Sequence, residues 1–291
     1  MGSWLMMLLF AGVCTAQSNS ILAQQKEEDR KKSENERMKN SKTIPMEIYY
    51  FEQEPFAYTQ SNSLMGVEIE ILAEFAKWAQ SRKGVKLDVK YTPFKKFEEF
   101  YKAVVSGNSF VIGAGTVAIN EERKNDVLFS PPYLNNVSIL ISNGSAETIY
   151  NKEEIASKWK NMKGITTKES VHSIYIEELK KKYLPGMIIE MVKSPIEVAE
   201  RIGQQTNYIG YIDIVTFWHY LKKSNVFIKI QRIFSVNNEK FGFIMPKNSE
   251  LQGLITEFFE SGFGFTATKS YRDILEKYLG YEVISTVEIR D

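Results

Sequence analysis

The sequence predicts an α/β protein built on mainly parallel sheets. Three observations carry this reading. Apolar residues switch between a strand period and a helical period from Thr43 onward, the alternation expected of βαβ units. Helical stretches open on capping residues, most clearly at Ser194-Pro195-Ile196-Glu197, where a capping-box serine and glutamate flank proline at the first helical position. The chain has 291 residues, 43% of them hydrophobic and 25% charged. That suffices for two lobes of roughly 100–150 residues each and excludes a disordered, collagen-like or coiled-coil chain.

The elements follow in order. MEIYYF (46–51) is a first strand, and Val67, Ile71, Leu72, Phe75 and Ala79 then recur at helical spacing. LDVKY (87–91) is a second strand. Thr92 and Pro93 read as N-cap and first residue of a helix bearing Phe94, Phe97, Tyr101, Val104 and Val105 on one side, with Gly107 as its stop. SFVIGAG (109–115) and VSILIS (137–142) are the third and fourth strands. Asn151 opens a charged helix, GITT (164–167) is a short strand, and Ser170 caps a helix carrying Tyr175, Ile176 and Leu179. MIIEMV (187–192) precedes the Ser194 capping box, and Gly203 stops that helix. Strands at 208–212 and 226–230 flank an aromatic helix from Ile214 to Leu221. FGFIM (241–245) then leads to terminal helices at 249–260 and 268–279.

Before this body, Trp4 to Val13 is an apolar run too short to span a bilayer, followed by the small residues Cys14, Thr15 and Ala16. Residues 1–16 therefore read as a secretory signal cleaved after Ala16, although no basic residue precedes Lys26. Periplasmic localisation follows. Lipid attachment at Cys14 is the less favoured alternative, because Val13 stands where a lipobox has a small residue. The polar stretch 17–42, charged from Lys26 onward, reads as a solvated tether.

Charge and composition exclude several functions. Lys and Arg number 37 against 36 Asp and Glu, a balance that gives no case for a nucleic-acid partner. One cysteine and two histidines, His172 and His219, leave little material for a His/Cys metal site or a thiol enzyme. Both histidines read as structural or solvent-facing.

Gly113-Ala114-Gly115-Thr116-Val117-Ala118 has the spacing of a dinucleotide loop and follows a strand. The long amphipathic helix that must come next is missing, since Asn120-Glu121-Glu122-Arg123 follows instead. The same stretch suits a different chemistry. Asn120 can cap a short helical turn, with Arg123 one turn in beside a glycine-rich strand end. A guanidinium beside free backbone N–H groups matches a carboxylate; on composition alone Arg123 is equally a surface salt-bridge residue. Asp213, between a strand and a helix, is either a plain N-cap or a site residue.

Several segments carry a resemblance. Pro55 to Tyr58 (PFAY) with LMGVEIEIL (64–72), then AGTVAINEER (114–123) with VLFSPPY (127–133), and NYIGYID (207–213) occur in this order. FGFIMPKNSEL (241–251) and SYRDILEKYLG (270–280) follow them. Together they resemble the type II periplasmic solute-binding proteins of the amino-acid-binding family, the bacterial extracellular solute-binding proteins of family 3. The resemblance implies two lobes, each a mainly parallel sheet flanked by helices and joined by two crossovers: lobe 1 at 43–140 plus 238–291, lobe 2 at 141–237. It implies a monomeric, non-enzymatic receptor that delivers a small polar, carboxylate-bearing, amino-acid-like solute to an ABC permease, with no cofactor and no metal.

Carried over position by position, the resemblance places a ligand carboxylate on Arg123 and an α-amino group on Asp213. Thr116 and Ala118 would add backbone groups, Ser170 the start of a lobe-two helix, and Phe56 and Gln53 further cleft contacts. The sequence departs from the family pattern at Ala118, Asn120, Val111, Glu169 and Gln53, which stand for Ser or Thr, Thr, Asp, Gly and an aromatic. A non-transport sensor or degenerate binding domain is the alternative reading, and a dehydratase-like enzyme on the same scaffold a more distant one.

Overall fold

A computed structural model describes residues 25–26 and 42–287. The expected signal segment, with Cys14, and most of the tether lie outside these residues. Strand β1 (Lys42–Phe51) and the hairpin β2 (Tyr58–Gln60) and β3 (Ser63–Met65) lead to helix α1 (Val67–Lys83), β4 (Val85–Phe94), α2 (Phe97–Val105) and β5 (Val111–Ala118). A 3-10 turn at Arg123–Asn125 precedes β6 (Val127–Phe129) and the long β7 (Leu134–Asn143). Then come α3 (Ile155–Lys158), β8 (Lys163–Thr167), α4 (Val171–Tyr183), β9 (Ile189–Val192) and α5 (Pro195–Gln204). β10 (Tyr208–Asp213), α6 (Ile214–Lys223), β11 (Ile228–Ile230) and β12 (Val236–Pro246) follow, and α7 (Gln252–Glu260), α8 (Lys269–Leu279) and α9 (Tyr281–Val287) complete the order.

Two compact units contain these elements: among the described residues the first holds 25–26 and 42–44 with Ala76–Asp88, and the second Pro45–Phe75 with 89–287. In the first, Gly84 ends α1 by donating to the Gln80 carbonyl at 3.2 Å and accepts the Lys42 N–H at 3.0 Å. The Lys83 ammonium lies 5.7 Å from the centre of the Trp78 ring.

The strands follow the order β4-β1-β5-β12-β7-β10-β8-β9, with β6 beside β12 and β11 beside β7. β1 and β5 are parallel, as are β10, β8 and β9. β12 runs antiparallel to β5 and β7, and β7 antiparallel to β10. Two parallel sets are thus joined by two long antiparallel strands.

Within the larger unit, period-two alternation sends neighbouring residues to opposite faces. Leu140, Ile209 and Tyr211 pack against Ile176 and Leu179 of α4. Ile139, Ile141 and Ile212 pack against Val198 and Ile202 of α5 and Phe217 of α6. Helices therefore cover both faces, which is why these strands carry so little polar sequence. In the other set, Phe100 and Val104 of α2 pack with Val111 and Val117 of β5. Each such fully buried side chain contributes about 1.5–3 kcal/mol. The dinucleotide-like glycines serve this packing. A Cβ on Gly115 would meet the Phe100 ring at 2.4 Å, and one on Gly113 would meet Val104 at 2.7 Å.

Most sequence-derived elements are present, with shifted ends. Thr92 and Pro93 do not start a helix: they lie in β4, and α2 begins at Phe97 after Lys96, which makes no side-chain cap. β4 is an edge strand, where proline's missing N–H leaves no ladder bond broken. The charged helix after Asn151 is only a 3-10 turn at Lys152–Glu154 and the four residues of α3.

Candidate functional site

Several elements of the larger unit converge on a cavity of about 30 Å³. β5 and the turn after it bring Thr116 and Arg123; the ends of β8 and β10 bring Thr167 and Asp213; the start of α4 brings Ser170 and His172. Gln53, Phe97 and Phe241 also line it.

Arg123 is positioned from its own turn outward. The Asn120 side chain accepts the Arg123 N–H at 2.8 Å, the cap expected from the sequence. The side chain is buried rather than a surface ion-pair group. Its guanidinium carbon lies 5.4 Å from the Phe97 ring centre and 5.5 Å from that of Tyr101. Nη1 donates to the Ala118 carbonyl at 3.4 Å and Nη2 to the Glu169 carbonyl at 2.8 Å. Among the described residues no carboxylate forms an ion pair with it. Burial pushes its pKa down, opposed by the through-space influence of Tyr101, Glu122 and Glu239; an arginine nonetheless stays charged.

Asp213 is buried and caps α6. Its carboxylate accepts the Thr216 N–H at 2.8 Å and the Thr216 hydroxyl at 2.7 Å. Gln53 Nε2 donates to that hydroxyl at 2.7 Å, which ties Gln53 to the same network. Burial raises the Asp213 pKa. The N-cap reading of Asp213 is observed, and the capping residue also lines the cavity.

Two residues here hold left-handed backbone that L side chains rarely adopt. Thr116 has φ +49° and Glu169 φ +59°. Glu169, matched to a glycine in the resemblance above, thus holds a backbone conformation that favours glycine. Thr116 is held by Glu68, whose Oε1 accepts its N–H at 3.0 Å and the Tyr133 hydroxyl at 2.5 Å. Burial pushes the Glu68 carboxyl up to about 7 against these hydrogen bonds. Ser170 caps α4, accepting the Ser173 N–H at 3.3 Å and donating to the Thr167 carbonyl at 2.6 Å.

The other expected site residues stand apart from the cavity. Ala118 contributes its carbonyl to Arg123 rather than a lining surface. Phe56 is fully buried and packs edge-on to Phe241 at 6.2 Å, so it reaches the cavity only through that ring.

Two further lining residues were given no place at the site from sequence. His172 is buried at the cavity, not solvent-facing; burial first, then the Arg123 charge, hold it down at about 3 and hence neutral. Its Nε2 lies 3.0 Å from the Ser138 hydroxyl, which donates to Glu239 at 2.5 Å. Asn136 and Tyr175 also donate to the Glu239 carboxylate. Thr167 was missed too, and its buried hydroxyl has no hydrogen-bond partner. The one sequence signal for the Arg123 clamp was the four-residue spacing of Phe97 and Tyr101, read only as a core face. Among the described residues no group of His, Cys, Asp or Glu side chains is arranged to hold a metal, and no helix is long and apolar enough to cross a membrane.

Mixed α/β layers around two parallel strand sets, with a charged cavity at their strand ends, define a binding-protein scaffold. The chain belongs to the bacterial extracellular solute-binding proteins, family 3, whose sequence model matches residues 49–281. No curated protein sequence matches it. Solved structures share the two-lobed periplasmic-binding-protein fold. An ancestral arginine-binding protein bound to arginine is 23% identical with a TM-score of 0.67, over 81% of this chain and 98% of that one. A putative L-cystine ABC transporter protein from Listeria monocytogenes is 18% identical with a TM-score of 0.65, over 82% and 97%. The arginine-, lysine-, histidine-binding protein ArtJ from Geobacillus stearothermophilus is 18% identical with a TM-score of 0.63, over 84% and 99%.

Proposed function

We propose that this chain is an exported, monomeric periplasmic receptor that captures a small amino-acid-like solute and delivers it to an ABC permease. The observation that carries this reading is the Arg123 guanidinium, buried at the cavity wall, clamped by two rings and unpaired with any carboxylate among the described residues. A buried charge without a counter-ion is costly. An incoming carboxylate removes that cost with paired charge-assisted hydrogen bonds. Asp213 in the same cavity provides the opposite charge for an α-amino group.

The moving parts in this reading are the lobes 43–140 with 238–291 and 141–237. Both boundaries fall in β7 and β12, the antiparallel strands that join the two parallel sets. A cavity of about 30 Å³ lies well below the few hundred Å³ usual for a ligand pocket. The solute is therefore admitted when the walls part, and closure then satisfies both of its charged ends. The similar structures, one bound to arginine and one from a cystine transporter, support an amino-acid-like ligand. The test is calorimetric titration with the protein amino acids and with simple carboxylates. Saturable binding of a carboxylate-bearing solute is expected; a panel in which nothing binds removes the receptor reading.

A further inference from the structure

The cavity carries more information than its two charges. Beyond Arg123 and Asp213, its polar lining consists of Gln53, Thr116, Thr167, Ser170 and His172. None of these is charged: four are neutral by nature, and His172 is buried and kept as neutral imidazole. A ligand whose α-carboxylate and α-amino groups occupy the charged pair leaves its side chain to these neutral walls. A charged side chain would be desolvated there without a partner, at a cost well beyond that of a neutral polar group.

The second observation concerns Thr167, the last residue of β8. It is 3% exposed, and its hydroxyl is buried with no hydrogen-bond partner. Ser170 takes the Thr167 carbonyl, so the main chain is satisfied while the hydroxyl is not. Buried polar groups are nearly always paired, and an exception asks for an explanation. A ligand group that bonds this hydroxyl explains both its burial and its place on the wall.

We infer that Thr167 is a specificity-determining residue and that the receptor selects amino acids with a neutral, hydrogen-bonding side chain, a hydroxyl or a carboxamide. The inference rests on the receptor reading above and names the ligand class of that same site. A site that hydrogen-bonds a side-chain group rejects the analogue lacking it more sharply than an apolar pocket rejects an extra methylene.

The experiment is calorimetry on the full chain and on Thr167→Val, which keeps the branched shape of the side chain and removes the hydroxyl. The probes are serine, threonine, asparagine, glutamine, alanine, valine, glutamate and lysine. The parent is expected to bind its best neutral polar amino acid at least about tenfold more tightly than glutamate or lysine. Thr167→Val is expected to lose about tenfold for that amino acid and to leave alanine and valine unchanged. Without ligand it should melt no lower than the parent, because the hydroxyl it removes has no partner. A parent that prefers glutamate or lysine, or a variant with the parental ranking, overturns this inference while leaving the receptor reading standing. A parent that binds no amino acid overturns both.

Discussion

Arg123 Nη2 donates to the main-chain carbonyl of Glu169 at 2.8 Å, and Glu169 holds that carbonyl with φ at +59°. The strained backbone of one strand set thus occupies a donor on the guanidinium of the other. The contact depends on the backbone shape at 169 and not on the glutamate side chain, which pairs with Lys102 at 3.6 Å on the surface.

Glu169→Gly should therefore change stability little, because opposing contributions nearly cancel. A non-glycine residue in this region carries a strain of about 1–2 kcal/mol, partly offset by the extra unfolded-state freedom of glycine, roughly 0.5–1 kcal/mol. The exposed ion pair with Lys102 adds roughly 0–1 kcal/mol to the other side. A net change between a loss of about 1 and a gain of about 1.5 kcal/mol in urea unfolding is expected, with solute affinity within about twofold of the parent. A loss of more than about 1 kcal/mol would mean that the glutamate side chain holds the loop.

Asp213→Asn separates capping from charge. Asparagine is as good an N-cap as aspartate, and its side-chain oxygen still reaches the Thr216 N–H. Its Nδ2, however, replaces the oxygen that accepts the Thr216 hydroxyl, so stability should fall by about 0.5–1.5 kcal/mol. The variant should lose at least about tenfold in affinity for amino acids while binding the corresponding deaminated carboxylates as the parent does. Equal amino-acid affinities would leave Asp213 as a cap alone.

Much of this was legible in the sequence. The R-x₅-FSPPY segment marks Arg123, and the Asn120 cap and the strand ending in Asp213 stand where they were expected. Thr92-Pro93 misled because a proline that starts a helix and a proline tolerated on an edge strand leave the same local signature. His172 and Thr167 lacked any local signal. His172 is buried beside Arg123 and Ser138, and Thr167 is buried on the same cavity wall, placements made by residues distant in sequence. Glu68 was likewise hidden, as one of two acids in the first turn of α1.

Glu68 also gives the protein a pH dependence of known sign. Its folded pKa, about 7, lies above the usual carboxylate value, so the folded state favours the protonated form. The stability tied to this group is fully present below about pH 4.5 and falls as pH rises to about 7, by roughly 3 kcal/mol in all. His172 acts oppositely, since its depressed pKa costs stability as pH falls from about 6.5 toward 3. Glu68→Gln removes the first contribution alone. Its unfolding free energy should decline less than the parent's between about pH 5 and about pH 8. Parallel pH profiles for the two proteins would show that Glu68 titrates normally.

The receptor reading stands or falls on the charge of Arg123. Arg123→Met keeps an apolar stem between the Phe97 and Tyr101 rings and removes the guanidinium, so the ligand-free variant should melt close to the parent. The measurement is the thermal shift of both proteins with the amino acid that the parent binds best, at a hundredfold excess over the parental Kd. The parent should gain about 2.7 kcal/mol under these conditions. Losing one partner of a buried charged pair costs roughly 2–5 kcal/mol of binding, which leaves the variant with no more than about 0.9 kcal/mol of that gain. A variant that keeps the full shift would contradict the assignment of the carboxylate to Arg123.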